Sequence, residues 1–548
     1  MALIPMDEKD AEEKVEMSAK ALYSSLDSIR YQFLDRARKS SELTIPTLVP
    51  PPGHGSQTKY YTPFQGVGAR GVNNLASKLL LTLFPPNSPF FRFVIDPFVL
   101  KKLGGPNPEQ LKSEMEKALA EMERAVQREV ETSSIRVTAY EALRQLIVAG
   151  NVLIYMPKVG NLRMFRMDTY CVKRDPSGNV LQIVICEKIA PSALPPEVKA
   201  VYNSDETNDS DYDATSEQNA TVELYTIINR EDDMERWHIQ QQVVDTLIPE
   251  SEGFFPLDKC PYLALRFNRV DGEDYGRGYV EEYIGDLISL EALSQAIVEG
   301  SAAAARILFL VNPNGTTRAK VIAESPNGAI VSGNAADVSV LQLQKSADFS
   351  IAKATMMTIE ERLAFAFLLN SSIQRQAERV TAAEIRFMAQ ELESSIGGTY
   401  SILSQEFQLP LVELLVDRMG ATRRLPKLPK KIVKPVIVTG IEALGRGNDL
   451  NKLDLFVAGV GQSLGPQAVA QFINIGEYLN RRATAIGIDV EGLVKTQEQI
   501  AAETQQAQMM KMTSDLGPSG IKSVTDLAMA AHPSNQQQQQ PPQQQQQQ

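Results

Sequence analysis

Three groups of residues in this 548-residue chain have types and spacings that could do chemistry. The first is Gly66-x-Gly68-x-x-Gly71, which matches the glycine fingerprint of a dinucleotide-binding turn, opens an expected helix and is followed at about the right distance by Asp96. That chemistry needs a buried parallel strand ahead of the glycines. Tyr60-Tyr61-Thr62-Pro63-Phe64-Gln65 is not one, and Pro85-Pro86 and Pro89 clutter the return. Glycines that allow a tight turn and close helix packing fit the pattern better. The second group is scattered. His54, His238 and His532 lack metal-ligand spacing, and Cys171, Cys186 and Cys260 contain no C-x-x-C pair, so neither a metal site nor a disulfide framework is expected. There is no G-x-x-x-x-G-K-[ST] loop and no G-x-S-x-G elbow, which argues against a phosphate-loop motor or a hydrolase nucleophile. No catalytic residue, cofactor or enzymatic activity is therefore expected.

The third group is Arg375 and Arg379, on the connector Asn370-Ser371-Ser372-Ile373-Gln374-Arg375-Gln376-Ala377-Glu378-Arg379. An apolar helix precedes it (Leu363, Phe365, Phe367, Leu368, Leu369). The next helix opens with a capping box, Thr381-Ala382-Ala383-Glu384, flanked by Val380 and Ile385 at the positions of a hydrophobic staple. Such an entry predicts a positioned loop rather than a slack linker. The two arginines are either ion-pair partners of a carboxylate on the same or a neighbouring chain, or cations facing phosphates. Each phosphate contact strengthens binding and also resists sliding, so a DNA conduit should keep such cations few.

The balance of charge agrees with that economy. Lys and Arg number 55 against 67 Asp and Glu, a net charge of −12, which argues against a protein that coats nucleic acid but not against one that surrounds it. The length calls for several subdomains, and 43% hydrophobic with 22% charged residues is a globular composition. The N-terminus turns charged at once and lacks a signal-peptide core, and the apolar run Ala302 to Val311 is interrupted by Arg306 and is too short for a bilayer. A reducing, cytoplasmic place of assembly without membrane contact is expected.

Periodicity predicts the elements that position these residues. An amphipathic helix is expected from about Met17 to Lys39, a buried helix over Val72–Leu81 ended by Pro85-Pro86, and a strand at Phe90–Asp96. Helices follow at Pro108–Thr132 and Ile135–Ala149, the latter stopped by Gly150-Asn151. Short strands are expected at Val152–Met156, Met164–Met167, Val180–Cys186 and Val222–Ile228, with an acidic surface loop at Asn203–Asn219. After Tyr275-Gly276-Arg277-Gly278 one long helix runs to about Val311. Its stripe Val280, Ile284, Leu287, Leu290, Leu293 and Ile297 offers more apolar surface than one subunit should cover, so burial by a neighbouring copy is expected. A second long helix begins near Ala347. A third, from Thr381, bends or breaks around Gly397-Gly398 and again at Pro410, and further helices lie between about Leu450 and Gly487. Eleven of the last thirteen residues are Gln, and that tail is assigned no fold. The class is α+β, predominantly helical.

Several blocks together resemble the portal, or head-to-tail connector, proteins of short-tailed (podovirus) bacteriophages, over roughly Tyr23 to Asp489. They are Thr62–Leu79 with its Gly66-Val67-Gly68-Ala69-Arg70-Gly71, Glu141–Leu153 with Ala149-Gly150-Asn151, Tyr275–Tyr283, Gln374–Arg386 and Tyr400–Leu411. The resemblance implies a ring, usually of twelve copies, at one capsid vertex. Double-stranded DNA enters through its channel, driven by a separate terminase, and later leaves by it. Major capsid and scaffolding proteins, tail adaptor and tube proteins and internal core proteins are the implied partners, and the virion the implied location. Mapped onto this numbering, a wing with the N-terminal helix takes residues 1–277, stem helices 278–311 and 347–370, and the clip 312–346. The channel loop takes 371–380, a long wing helix and its return 381–439, a helical crown 440–510, and the low-complexity tail 511–548. Arg375 and Arg379 are the DNA-channel candidates. Two other readings remain: a tail-adaptor or scaffold protein that never encloses DNA, and a nucleotide-dependent enzyme using Gly66–Gly71.

Overall fold

The computed structural model describes most of residues 18–369 and 398–465, with short omissions, and scattered positions as far as 482. The acidic loop at 203–219, the capping box at 381–384, Arg375, Arg379 and the glutamine tail lie outside the described residues.

The first helix, α1 (Ala19–Glu42), starts where a capping side chain allows it to: the Ser18 hydroxyl accepts from the Ala21 amide at 3.3 Å. Helix α2 (Val67–Leu83) starts five residues earlier than the expected Val72, directly after Gly66, so that Gly68 and Gly71 lie within it, and stops ahead of Pro85. Strand β1 (Phe91–Ile95) precedes α3 (Pro108–Thr132) and α4 (Ile135–Ala149). Helix α4 ends as the sequence predicts, on Gly150 at φ +74°. Its inward face (Ala139, Ala142, Leu143, Leu146, Ile147) is completely buried against α2 and the N-terminal helix. Burial of that scale, at about 25 cal/mol per Å2 of apolar surface removed from water, is what holds this part together.

A chain of antiparallel strands follows: β2 (Asn151–Tyr155), β3 (Arg163–Phe165), β4 (Tyr170–Arg174), β5 (Val180–Ile189), β6 (Val222–Glu231), β7 (Arg236–Val243), β8 (Thr246–Leu247), β9 (Gly253–Pro256) and β10 (Tyr262–Arg266). Strands β4 to β9 make a six-stranded sheet and β10-β2-β3 a second, smaller one. Strands β4 and β7 to β9 were not among those the sequence predicts. They are short or carry polar residues on both faces, which blurs the two-residue alternation. Every strand pair among the described residues is antiparallel. A doubly wound nucleotide fold has no place among them.

One buried cation ties α1 to this sheet. Arg30, with a side chain only 4% exposed, donates to the Met167 and Tyr170 carbonyls at 2.8 and 2.7 Å, to the Tyr23 hydroxyl and to Asp27. It closes backbone acceptors that would otherwise be buried without partners.

Short α5 (Tyr279–Glu282) leads into α6 (Ile284–Ala304). The sequence predicts one helix as far as Val311, but Leu308–Val311 is strand β11, paired with β12 (Val338–Leu341). A short apolar run satisfies helical and strand patterns alike, and pairing with β12 decides for the strand. Between them lies the short helix α7 (Ala319–Glu324). Helix α8 (Ser346–Ala366) packs along α6, with Ile359 and Leu363 buried. The stripe expected to need a neighbouring copy is covered in part within the chain: Val280, Leu287 and Leu290 are completely buried, while Ile284, Leu293 and Ile297 remain partly exposed.

Helices α9 (Thr399–Leu403) and α10 (Leu409–Ala421) are joined by a widened, π-type turn at Ser404–Gln408. Pro410 explains it, because its ring crowds the carbonyl four residues back and it donates no amide hydrogen. The return strand β13 (Val433–Ile437) pairs with β1. The described residues from 445 onward belong to a separate body, as does most of helix α11 (Ile441–Leu464). In that body Asp454 accepts from the Tyr478 hydroxyl at 2.6 Å and pairs with Arg482.

Candidate functional site

Arg375 and Arg379 lie outside the described residues, and the described chain that precedes them in sequence is the end of α8. That helix end is closed from three sides. The Tyr279 hydroxyl donates to the Ala366 carbonyl at 2.9 Å. The Asn74 amide donates to the Phe367 and Leu368 carbonyls at 3.0 Å each, and the Lys78 ammonium donates to the Leu368 carbonyl at 3.0 Å. These are the carbonyls that a helix C-terminus leaves without partners, and a buried cation there also suits the helix dipole. Burial, reinforced by the Tyr283 hydroxyl, pushes the Tyr279 phenol up, so it remains a donor across the physiological range.

The chain then turns through Leu368 at φ +55°. A branched L-residue in that region costs about 1–3 kcal/mol and persists where its surroundings over-determine it. The Leu369 amide reaches back to the Ala364 carbonyl at 2.7 Å, which closes the turn. Helix α2 supplies the wall behind it. A Cβ at Gly71 would lie 2.5 Å from the Phe367 ring, so only glycine lets α2 and Phe367 approach this closely.

The glycine turn itself is filled by the protein's own groups. The Gln65 side chain accepts from the Gly68 amide at 2.9 Å and donates to the Leu43 carbonyl at 2.6 Å, while the Glu291 carboxylate accepts from the Phe64 and Gln65 amides at 3.0 and 3.2 Å. A Cβ at Gly68 would meet the Leu43 carbonyl at 2.6 Å. A carboxylate thus sits against amides just ahead of the helix that a pyrophosphate would need. Close packing, rather than dinucleotide binding, is what these glycines permit.

Two other blocks singled out in the sequence meet in space. Asn151 exchanges hydrogen bonds with Gly276, its amide donating to the Gly276 carbonyl and its carbonyl accepting from the Gly276 amide, both at 2.8 Å. Gly150 faces the Arg277–Gly278 backbone at distances that leave no room for a Cβ, and Gly278 likewise faces the Val148 carbonyl. The turn before α5 is thereby locked to the end of α4. Through Tyr279 this lock reaches the end of α8.

The remaining candidates do not converge. His54 bonds to Arg166, and His238 lies between Glu231 and Glu252; His532 lies outside the described residues. The cysteines are free, and burial pushes the Cys171 and Cys260 thiols up to about 12 and that of Cys186 to about 11. No group of three or more His, Cys, Asp or Glu able to hold a metal occurs among the described residues. Asn74, Lys78 and Tyr279 were missed in the sequence. A signal for two of them existed, since Asn74 and Lys78 are polar residues beside the buried stripe Val72, Leu75, Ala76 and Leu79.

Residues 16–494 match the family model described as bacteriophage head to tail connecting protein. The chain is 43% identical to the portal protein of Escherichia phage T7 over 512 residues, covering 92% of this chain and 93% of that protein. It is 42% identical to the portal protein of Enterobacteria phage T3, covering 92% of each. The portal protein of Enterobacteria phage SP6 is 30% identical, covering 89% of this chain and 92% of its own length.

Proposed function

Because the chain belongs to the bacteriophage head-to-tail connecting protein family, we propose that it assembles as a portal ring at one vertex of the capsid. It serves there as the conduit through which DNA is packaged and ejected, and as the docking site for terminase and tail proteins. The observation that carries this reading is identity of 43% to a portal protein, maintained across nine-tenths of both chains. A ring of twelve copies is the working assembly. Major capsid, scaffolding and internal core proteins are its other contacts during assembly in the host cytoplasm.

In this reading α6 and α8 are the stem and the β11–β12 ribbon with α7 is the clip. The part before residue 278 is the wing, and the helical residues after 440 are the crown. The platform of Asn74, Lys78, Tyr279 and Gly71 fixes the point from which the channel segment 371–380 starts. Arg375 and Arg379 then supply one cation each per copy around one level of the channel. B-DNA carries a charge about every 1.7 Å of its axis, so such a level meets phosphates whatever the sequence. Few cations in a protein of net charge −12 suit a duplex that must slide.

Native mass measurement and negative-stain images of the purified protein test the assembly: rings near twelve times 60.5 kDa are expected, and a monomer alone refutes the reading. Replacing Arg375 and Arg379 together by Ala should leave rings and procapsids intact but impair packaging or retention of DNA, with Lys milder than Ala. Loss of rings in the double Ala variant would make these arginines interface ion-pair partners.

A further inference from the structure

On either side of α6 lies an exposed aromatic patch. Asp286 and Glu291 are five residues apart on this helix and so lie roughly 140° apart around its axis. Asp286 pairs with Arg362 at 2.8 Å, on the flank where Tyr283, Glu361, Arg362 and Phe365 line an open cleft of about 670 Å3. Glu291, on the other flank, holds the Phe64 and Gln65 amides and with them the segment that precedes α2. That segment points its rings outward: Tyr61 is 87% and Phe64 52% exposed. In the cleft Phe365 is 77% exposed. Large rings left in water on either side of α6, on the segment ahead of α2 and on α8, mark contact surfaces rather than a finished monomer.

Opposite charges lie beside the two patches. Lys59 is exposed beside the aromatic segment and Glu361 beside the cleft, and neither has an ion-pair partner among the described residues. Resting on the ring reading above, we propose that Tyr61 and Phe64 of one copy seat in the cleft of the next copy, against Phe365 and Tyr283, with Lys59 brought to Glu361. Knob and cleft occupy different faces of the same chain, so the contact is head-to-tail and propagates from copy to copy until it closes. Offset or edge-on ring pairs favour such a seat, and a lysine able to reach a carboxylate fixes its register.

Two experiments on the full chain test it. In the first, Tyr61→Cys and Phe365→Cys are combined and treated with a short bismaleimide, which joins thiols without an oxidant. A ladder of covalent multimers beyond the dimer is expected on a denaturing gel, absent from each single variant. The native thiols are held protonated by burial and supply little background. In the second, Lys59→Glu and Glu361→Lys each should weaken association about tenfold per interface, about 1.4 kcal/mol, and the pair together should restore it. No ladder from a variant whose native mass is still that of a ring overturns the contact and leaves the ring reading standing. Dimers alone would mean a two-fold face and overturn it as well. Unimpaired rings in both charge variants, with attachment of another virion protein lost, would give the segment to that protein. Unmodified protein that is monomeric overturns both readings.

Discussion

Gly71→Ala tests the platform at its tightest point. In the middle of a helix this change ordinarily stabilises, by about 1 kcal/mol, because alanine loses less backbone freedom than glycine on folding. At Gly71 the new methyl would lie 2.5 Å from one Phe367 ring carbon and 2.9 Å from two others of its carbons. Apolar carbons settle about 3.5–4.0 Å apart, so the ring must retreat by about 1 Å. It has nowhere to go. Phe367 is completely buried, packs edge-on against Tyr279 at 5.7 Å, and its carbonyl and amide are held by Asn74 and Leu363. Overpacking of this kind costs about 1–3 kcal/mol, which outweighs the helix gain and leaves a net loss of about 1 kcal/mol. Gly71→Leu should cost several times that or prevent folding. Gly459→Ala, in a helix with nothing within 4 Å, is the control and should gain up to about 1 kcal/mol. Denaturation midpoints of the three proteins check the signs. Because Phe367 precedes the Leu368 turn, hydrogen exchange at 365–369 should also rise in Gly71→Ala. If Gly71→Ala stabilises as much as the control, α2 and Phe367 are not in close contact and the platform argument fails.

Three further expectations follow from the same geometry. Arg30→Met removes the donor to two buried carbonyls, each costing about 1–3 kcal/mol when left unpaired, so the protein should lose about 2–6 kcal/mol in a urea midpoint measurement; a loss under about 1 kcal/mol would show that those carbonyls find other donors. Just ahead of β12, desolvation pushes the Asp337 carboxyl up but is outweighed by the Thr317 and Thr316 amides and hydroxyls, which hold it below the usual carboxylate range. Its folded-state pKa is therefore below its unfolded value of about 3.9, so its contribution is complete above that value and lost as pH falls through the folded pKa; proteolysis of the 312–317 turn should rise only in that acid window, and Asp337→Ala should show the rise at neutral pH. Deleting residues 535–548 should leave assembly unchanged by native mass, since a glutamine tract has little to bury; a monomeric or insoluble truncation would make the tail structural.

What the sequence determined by itself is whatever rests on neighbours a few residues apart. The left-handed stop at Gly150, the end of α2 before Pro85 and the distortion ahead of Pro410 all follow from one residue's own backbone limits. The five family blocks were legible too, because each is a continuous run. Tertiary structure alone decided what those blocks are for. Asn74 bonds to the Phe367 carbonyl across 293 residues, and Asn151 to Gly276 across 125, separations at which periodicity carries no information about pairing. The same limit explains the misjudged element: Leu308–Val311 is a strand because Val338–Leu341 lies beside it. Glycine at 71 could be read as permissive from the sequence; that it makes room for Phe367 is a fact of packing, since only the folded chain brings a buried ring within 3 Å of that position.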